Sequence, residues 1–191
     1  MENQRRKHIR LQGYDYSQNG AYFITICSDQ RAPIFGSVAA NDAGLANPVG
    51  QGLCSCRLSA IGAIINTEIM QLPARYPNIK IDNYVIMPNH VHLLLSIDSE
   101  AQTERTRQEQ SPCPTSSARP AIGDVICAFK SITTKTANQQ DGVERRKIWQ
   151  FRYHDHVVRG EAEYRRIWKY IDENPAKWAD DCYYIIGADS N

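Results

Sequence analysis

The chain has 191 residues, of which 42% are hydrophobic and 23% charged, with a formal net charge of +1. That is the composition of a soluble globular protein with enough chain for one core, so a single domain over residues 1–191 is expected and two are not. No apolar run approaches the ~20 residues a transmembrane helix requires, which excludes a helical membrane protein, while the near-zero net charge leaves the partners open.

Basic residues cluster at Arg5, Arg6, Lys7 and Arg10, and again at Arg145, Arg146, Lys147 and Arg152. Either group can follow a phosphate backbone or form an ordinary solvated face. The start, Met-Glu-Asn-Gln-Arg-Arg, lacks the apolar core of a signal peptide. The six cysteines lack CxxC spacing. Reduced thiols in a cytoplasmic protein are expected, and Cys54-Ser55-Cys56, with no second Cys/His pair at zinc spacing, reads as incidental.

Residues 21–28, Ala-Tyr-Phe-Ile-Thr-Ile-Cys-Ser, follow a turn-like Ser-Gln-Asn-Gly and predict a buried first strand. Residues 39–56 predict a long loop or irregular hairpin. Ser59 reads as the cap of a helix whose apolar positions, Ile61, Ile64, Ile65, Ile69 and Leu72, repeat at helical spacing and end near Pro73. Runs 79–87 and 90–97, separated by Pro88-Asn89, predict an antiparallel hairpin.

Residues 98–120 are polar and proline-containing and predict a flexible insertion. Ile122, Val125, Ile126 and Phe129 open a second helix expected to reach about Thr136, and 148–158 predict a strand. A third helix begins near Glu161 on the stripe Tyr164, Ile167, Trp168 and Ile171, and is bounded by Pro175. The order implies an α+β fold: a ferredoxin-like antiparallel sheet with helices on one face, plus a C-terminal helix.

Candidate chemistry lies first at His90 and His92. Two residues apart on a strand, both imidazoles leave one face while Val91 and Leu93 enter the other. A metal or phosphate role follows from convergence of two nitrogens. His154-Asp155-His156 repeats the spacing and competes for it. Asp155 would face the opposite side and need a polar partner or water, which suggests an edge strand. On the third helix, Tyr170 and Asn174 are i and i+4 and share a face beside the apolar stripe.

A series of motifs in chain order carries a resemblance. Tyr14-Asp15-Tyr16, Tyr22 to Cys27, Phe35-Gly36, Tyr84-Val85-Ile86-Met87-Pro88-Asn89-His90-Val91-His92, Phe129-Lys130-Ser131, Ile148-Trp149-Gln150, Asp155 to Arg159 and Tyr170 to Pro175 together resemble the single-tyrosine HUH transposases. The REP-associated tyrosine transposases are the most similar branch, and the resemblance covers about residues 8–180.

The resemblance implies that His90, His92 and Asn174 hold a divalent metal, Mg²⁺ or Mn²⁺, and that Tyr170 is the nucleophile. Many insertion-sequence relatives carry Gln where this chain has Asn174, and the shorter amide reaches less far. The implied activity is nicking and strand transfer of single-stranded or hairpin DNA through a 5′-phosphotyrosine, by a homodimer or monomer. Arg5, Arg6, Lys7, Arg10, Lys130 and Arg159 are expected to hold DNA. Two other functions stay open: a hairpin-recognition module without cleavage, and a metal phosphodiesterase that uses water.

Overall fold

A computed structural model describes residues 14–38, 56–98 and 121–184. The basic cluster Arg5 to Arg10 and most of the loop 39–56 and the insertion 98–120 lie outside the described residues.

Four strands form the main sheet: β1 (Gly20–Cys27), β4 (Ile79–Ile86), β5 (His90–Ile97) and β6 (His154–Val157). Their order across the sheet is β4-β5-β1-β6, with every pair antiparallel. A small ribbon of β2 (Gly36–Val38) and β3 (Cys56–Leu58) stands beside it. The helices are α1 (Ala60–Arg75), α2 (Ile122–Asp141) and α3 (Glu161–Glu173), followed by a 3₁₀ turn at Pro175–Asp180. The hairpin β4–β5 turns at Met87–Asn89, where the Met87 N–H donates to the His90 carbonyl at 2.8 Å. The expected α+β, ferredoxin-like sheet is the observed architecture.

Alternation along the strands sorts the sheet into two faces. Tyr22, Ile24 and Ile26 of β1 and Val91, Leu93 and Leu95 of β5 join Ile65, Ile69 and Leu72 of α1 and Val125, Ile126 and Phe129 of α2 in the large core. The other face is smaller: Val85, Met87 and Leu94 pack on Ile167 and Ile171 of α3. Thus, among the described residues, α1 and α2 cover one face and α3 is the long helix on the other, which places the helix carrying Tyr170 over the histidine side.

Three boundaries differ from the sequence expectation. The first helix passes through Pro73 to Arg75, closed by the Tyr76 N–H to the Leu72 carbonyl at 2.8 Å. A proline near a helix end removes one N–H bond but does not force an immediate stop. The second helix runs to Asp141, where Gly142 adopts a left-handed φ of 63° and ends it. The strand expected over 148–158 forms only at 154–157. Ile148 and Trp149 are instead buried against the core, joined to the end of β1 by a single bridge between Ser28 and Trp149.

Two local features set the framework under the site. Ser59 caps α1, its Oγ accepting from the Gly62 N–H at 3.0 Å and donating to the Ile34 carbonyl at 2.7 Å. In β4, Asp82 is an extra residue between Ile81, which pairs with Leu95, and Asn83, which pairs with Leu94. This bulge reverses the side-chain alternation, so Asn83 joins Val85 and Leu94 on the α3 face.

Candidate metal and tyrosine site

His90 and His92 begin β5 at the end of the sheet where β1 terminates, with Cys27 the cross-strand partner of His90 and Thr25 that of His92. Both imidazoles are buried, and their Nε2 atoms stand 3.0 Å apart. Each Nδ1 has its own partner: Asn89 Oδ1 lies 2.9 Å from that of His90, and Thr25 Oγ1 lies 2.8 Å from that of His92. An acceptor at Asn89 keeps the proton of His90 on Nδ1 and leaves its Nε2 lone pair directed at the facing ring. The Thr25 hydroxyl can donate or accept, so it supports either tautomer of His92.

The electrostatics follow from burial. Desolvation holds the His90 imidazolium at a disadvantage and brings its pKa down to about 4, despite the opposing charge of Asp181. His92 is lowered well below the usual value, first by burial and then by His90 and His154. Both rings are therefore neutral near pH 7, the form in which imidazole binds metals.

A third group completes the arrangement. The side-chain ligand atoms of His90, His92 and Asp181 all lie within 4.8 Å of one another, and among the described residues this is the one such group of His, Cys, Asp or Glu. Asp181 follows the 3₁₀ turn. Its Oδ2 accepts from Asn174 Nδ2 at 3.0 Å and its Oδ1 from the Tyr183 N–H at 2.7 Å. Asn174 is 3% exposed, and its Oδ1 is buried without a hydrogen-bond partner among the described residues. A buried acceptor left without a donor costs about 1–3 kcal/mol, which a cation beside it would offset. Two converging neutral imidazoles and a carboxylate fit a divalent ion, and the buried amide of Asn174 adjoins that carboxylate.

Tyr170 lies on α3 with its hydroxyl 3.3 Å from His92 Nε2 of the same chain. Its ring meets Phe23 edge-on at 6.0 Å and His92 at 5.2 Å, and 41% of the residue remains exposed. Desolvation, then Asp181 and Cys182, push its pKa up to about 12.

The rival pair at 154 and 156 is arranged differently. β6 is the edge strand, as Asp155 suggested, and Asp155 itself faces inward and is buried. His154 is exposed, while His156 Nε2 contacts Glu163 Oε1 at 2.9 Å. That glutamate also accepts from the Arg159 N–H at 2.6 Å, so His156 belongs to the junction between β6 and α3, whereas His154 stands across the strand from Thr25.

Among the expected DNA contacts, Lys130 is half-buried and donates to the carbonyls of Gln150 at 2.6 Å and Phe151 at 3.0 Å. Arg159 is exposed beside Glu163. The sequence reading did not find Asp181, Tyr183 or Thr25. The Tyr183 ring packs at a tilt against His90 with centroids 4.6 Å apart, and its carbonyl accepts from Asn89 Nδ2 at 2.7 Å. Residues 181–183 have no periodicity, and only the chain path after α3 brings them to the histidines.

No family model matches the chain. Two similar solved structures are a REP-associated tyrosine transposase bound to a REP hairpin and a candidate transposase from Deinococcus radiodurans. The first is 17% identical with a TM-score of 0.48, covering 93% of this chain and 74% of that one. The second is 14% identical with a TM-score of 0.46, covering 86% and 95%. In sequence, an uncharacterized protein of Haemophilus influenzae is 30% identical over 183 residues, which span 94% of this chain and 93% of that protein. The chain therefore belongs to the same family as that Haemophilus protein.

Proposed function

We propose that this protein nicks and rejoins single-stranded DNA, with Tyr170 as nucleophile and a divalent ion at His90 and His92. The observation that carries the reading is the 3.3 Å approach of the Tyr170 hydroxyl to His92 Nε2, where the two imidazoles converge. A nucleophile and a ligand set that meet at one point are the two parts a phosphotyrosine mechanism requires. The ordered sequence motifs support the same activity and the same substrate, a hairpin-bearing DNA end.

In this reading His90 and His92 supply nitrogens, Asn174 its free amide oxygen, and Asp181 a carboxylate that the resemblance did not anticipate. Mg²⁺ or Mn²⁺ held there would polarise the scissile phosphate, offset charge in the transition state and favour the phenolate. Imidazole ligands favour Mn²⁺. Asn89 and Thr25 orient the rings from behind. Phe23 and His92 hold the Tyr170 ring on two sides while its exposed edge admits the DNA.

The Tyr170 oxygen then forms a bond to phosphorus as the bond from phosphorus to the 3′ oxygen breaks. The tyrosine proton is lost, the departing 3′ oxygen gains one, and the phosphotyrosine keeps the bond energy for rejoining. No nucleotide triphosphate is consumed. The water-using alternative has less support, because His154 and His156 lie outside the converging group.

The test is incubation of the protein with labelled single-stranded hairpin oligonucleotides and Mn²⁺, followed by a denaturing gel. Wild type should give a covalent protein–DNA adduct and Tyr170→Phe none. Cleavage by the phenylalanine variant would refute the mechanism. Binding by both proteins without any adduct would favour a recognition module.

A further inference from the structure

Phe151 is 89% exposed, and its backbone is firmly held. Beneath it Ile148 and Trp149 are buried, with the Trp149 ring tilted against Phe35 at 4.8 Å and Phe129 at 5.6 Å and its Nε1 donating to Thr133 Oγ1 at 2.8 Å. The Gln150 N–H donates to the Cys27 carbonyl at 3.0 Å, and Lys130 Nζ grips the carbonyls of Gln150 and Phe151. A large apolar ring presented to water on a pinned backbone is ready to bind without paying for loop ordering.

The ring borders an open cleft of about 440 Å³ between α2 and residues 147–151. That is within the range, roughly 300–1,000 Å³, of clefts that hold small ligands or single groups of larger ones. Its charged lining is entirely basic: Lys130, Lys135 and Lys147. Lys130 is committed to the carbonyls and Lys147 pairs with Asp29 at 2.7 Å, whereas Lys135 is exposed and makes no ion pair among the described residues. Arg152, the next residue after Phe151, is exposed as well.

The cleft and the histidine pair share one end of the sheet. His90 pairs with Cys27 of β1, and the Cys27 carbonyl receives the Gln150 N–H. Gln150 is thus two strand spacings, about 10 Å, from His90. The cleft opens on the α2 side of that end and the histidines on the α3 side, so one polymer can pass round the edge and touch both.

We infer that this cleft is a second contact for single-stranded nucleic acid, in which one unpaired base stacks on Phe151 and flanking phosphates meet Lys135 and Arg152. An aromatic face beside cations and without acids is the composition that holds unpaired bases. It does not suit an acidic peptide equally well, since a peptide has no need of a flat exposed ring. The inference rests on the proposed single-strand activity for its choice of occupant.

The test measures binding of fluorescent hairpin oligonucleotides with single-stranded flanks to wild type, Phe151→Ala, Phe151→Leu, Phe151→Trp and Lys135→Glu, each checked for unchanged thermal midpoint. Phe151→Ala should weaken binding about 5- to 150-fold. Trp should restore it and Leu should not. Replacing one flanking nucleotide with an abasic unit should abolish the difference between wild type and Phe151→Ala, and Lys135→Glu should flatten the salt dependence. Equal affinity of Phe151→Ala and wild type would overturn the inference, as would rescue by Leu or an effect confined to protein self-association. If adducts form at Tyr170 but Phe151 has no effect, the inference alone fails. If Phe151 governs binding but no adduct ever forms, the inference stands and the strand-transfer reading fails.

Discussion

Asn83 of β4 donates to Asp172 of α3 across 2.8 Å, and this bond joins the strand beside the histidines to the helix that carries Tyr170. The same amide approaches the Trp168 carbonyl at 3.5 Å, and its oxygen accepts from the Tyr84 N–H at 2.9 Å. Asn83 therefore ties α3 to the sheet beside the packing of Ile167 and Ile171. Asn83→Ala should destabilise the fold by about 1–3 kcal/mol, the cost of an unsatisfied buried partner. Adduct formation should fall by as much as about 100-fold, because a small misplacement of a reacting group is costly. Mn²⁺ affinity should fall less than adduct formation, since His90 and His92 lie on β5 and only Asn174 and Asp181 follow the helix. Equal losses of metal affinity and adduct formation would show that Asn83 does not act by placing Tyr170.

Metal binding should be visible as stability. With Mn²⁺ at about 100 times its dissociation constant, the wild-type protein should gain about 2.7 kcal/mol. His90→Gln and His92→Gln should lose nearly all of that gain, and Asp181→Asn and Asn174→Ala part of it. Differential scanning fluorimetry with and without Mn²⁺ checks this. A full metal-induced shift in His92→Gln would place the ion elsewhere.

Glu163 anchors the start of α3 to β6, and its carboxyl is held below the ordinary value of 4.5 by the Arg159 N–H and by His156. A lowered folded pKa means that its contribution is present above the ordinary glutamate value and is lost as pH falls through the lower folded one. Wild type should therefore lose stability in that acid range, and Glu163→Gln should show a shallower decline. Urea midpoints at pH 6 and at pH 3.5 measure the difference. Parallel declines in the two proteins would remove Glu163 from the account.

Gly62 faces the backbone of Phe35 closely. A Cβ there would stand 2.0 Å from the Phe35 carbonyl oxygen and 3.2 Å from Leu58 Cβ. Gly62→Ala must push α1 away from the Ile34–Phe35 segment that Ser59 caps against. It should cost about 1–3 kcal/mol, although alanine is the better helix former. A thermal midpoint at or above wild type would show that the helix start shifts freely.

Much of this architecture was legible before the structure. Period-two and helical spacing located β1, the β4–β5 hairpin, α1, the start of α2 and α3, because a face must be apolar wherever it meets a core. The convergence of His90 and His92 followed from the strand period alone, as did the edge position of β6 from Asp155. Ile148 and Trp149 were misread as strand because burial in a bridged loop leaves the same apolar signature as a strand.

Sequence by itself determined the alphabet of the site: two histidines on one strand face, and a tyrosine and an asparagine on one helix face. Tertiary structure alone decided that these faces meet, through the bulge at Asp82 that turns Asn83 toward α3. It also decided that Asp181 joins the histidines and that Tyr183 packs against one of them. Periodic patterns report which face of an element is buried, whereas a carboxylate carried on an irregular segment is placed by the path of the chain and has no period to read.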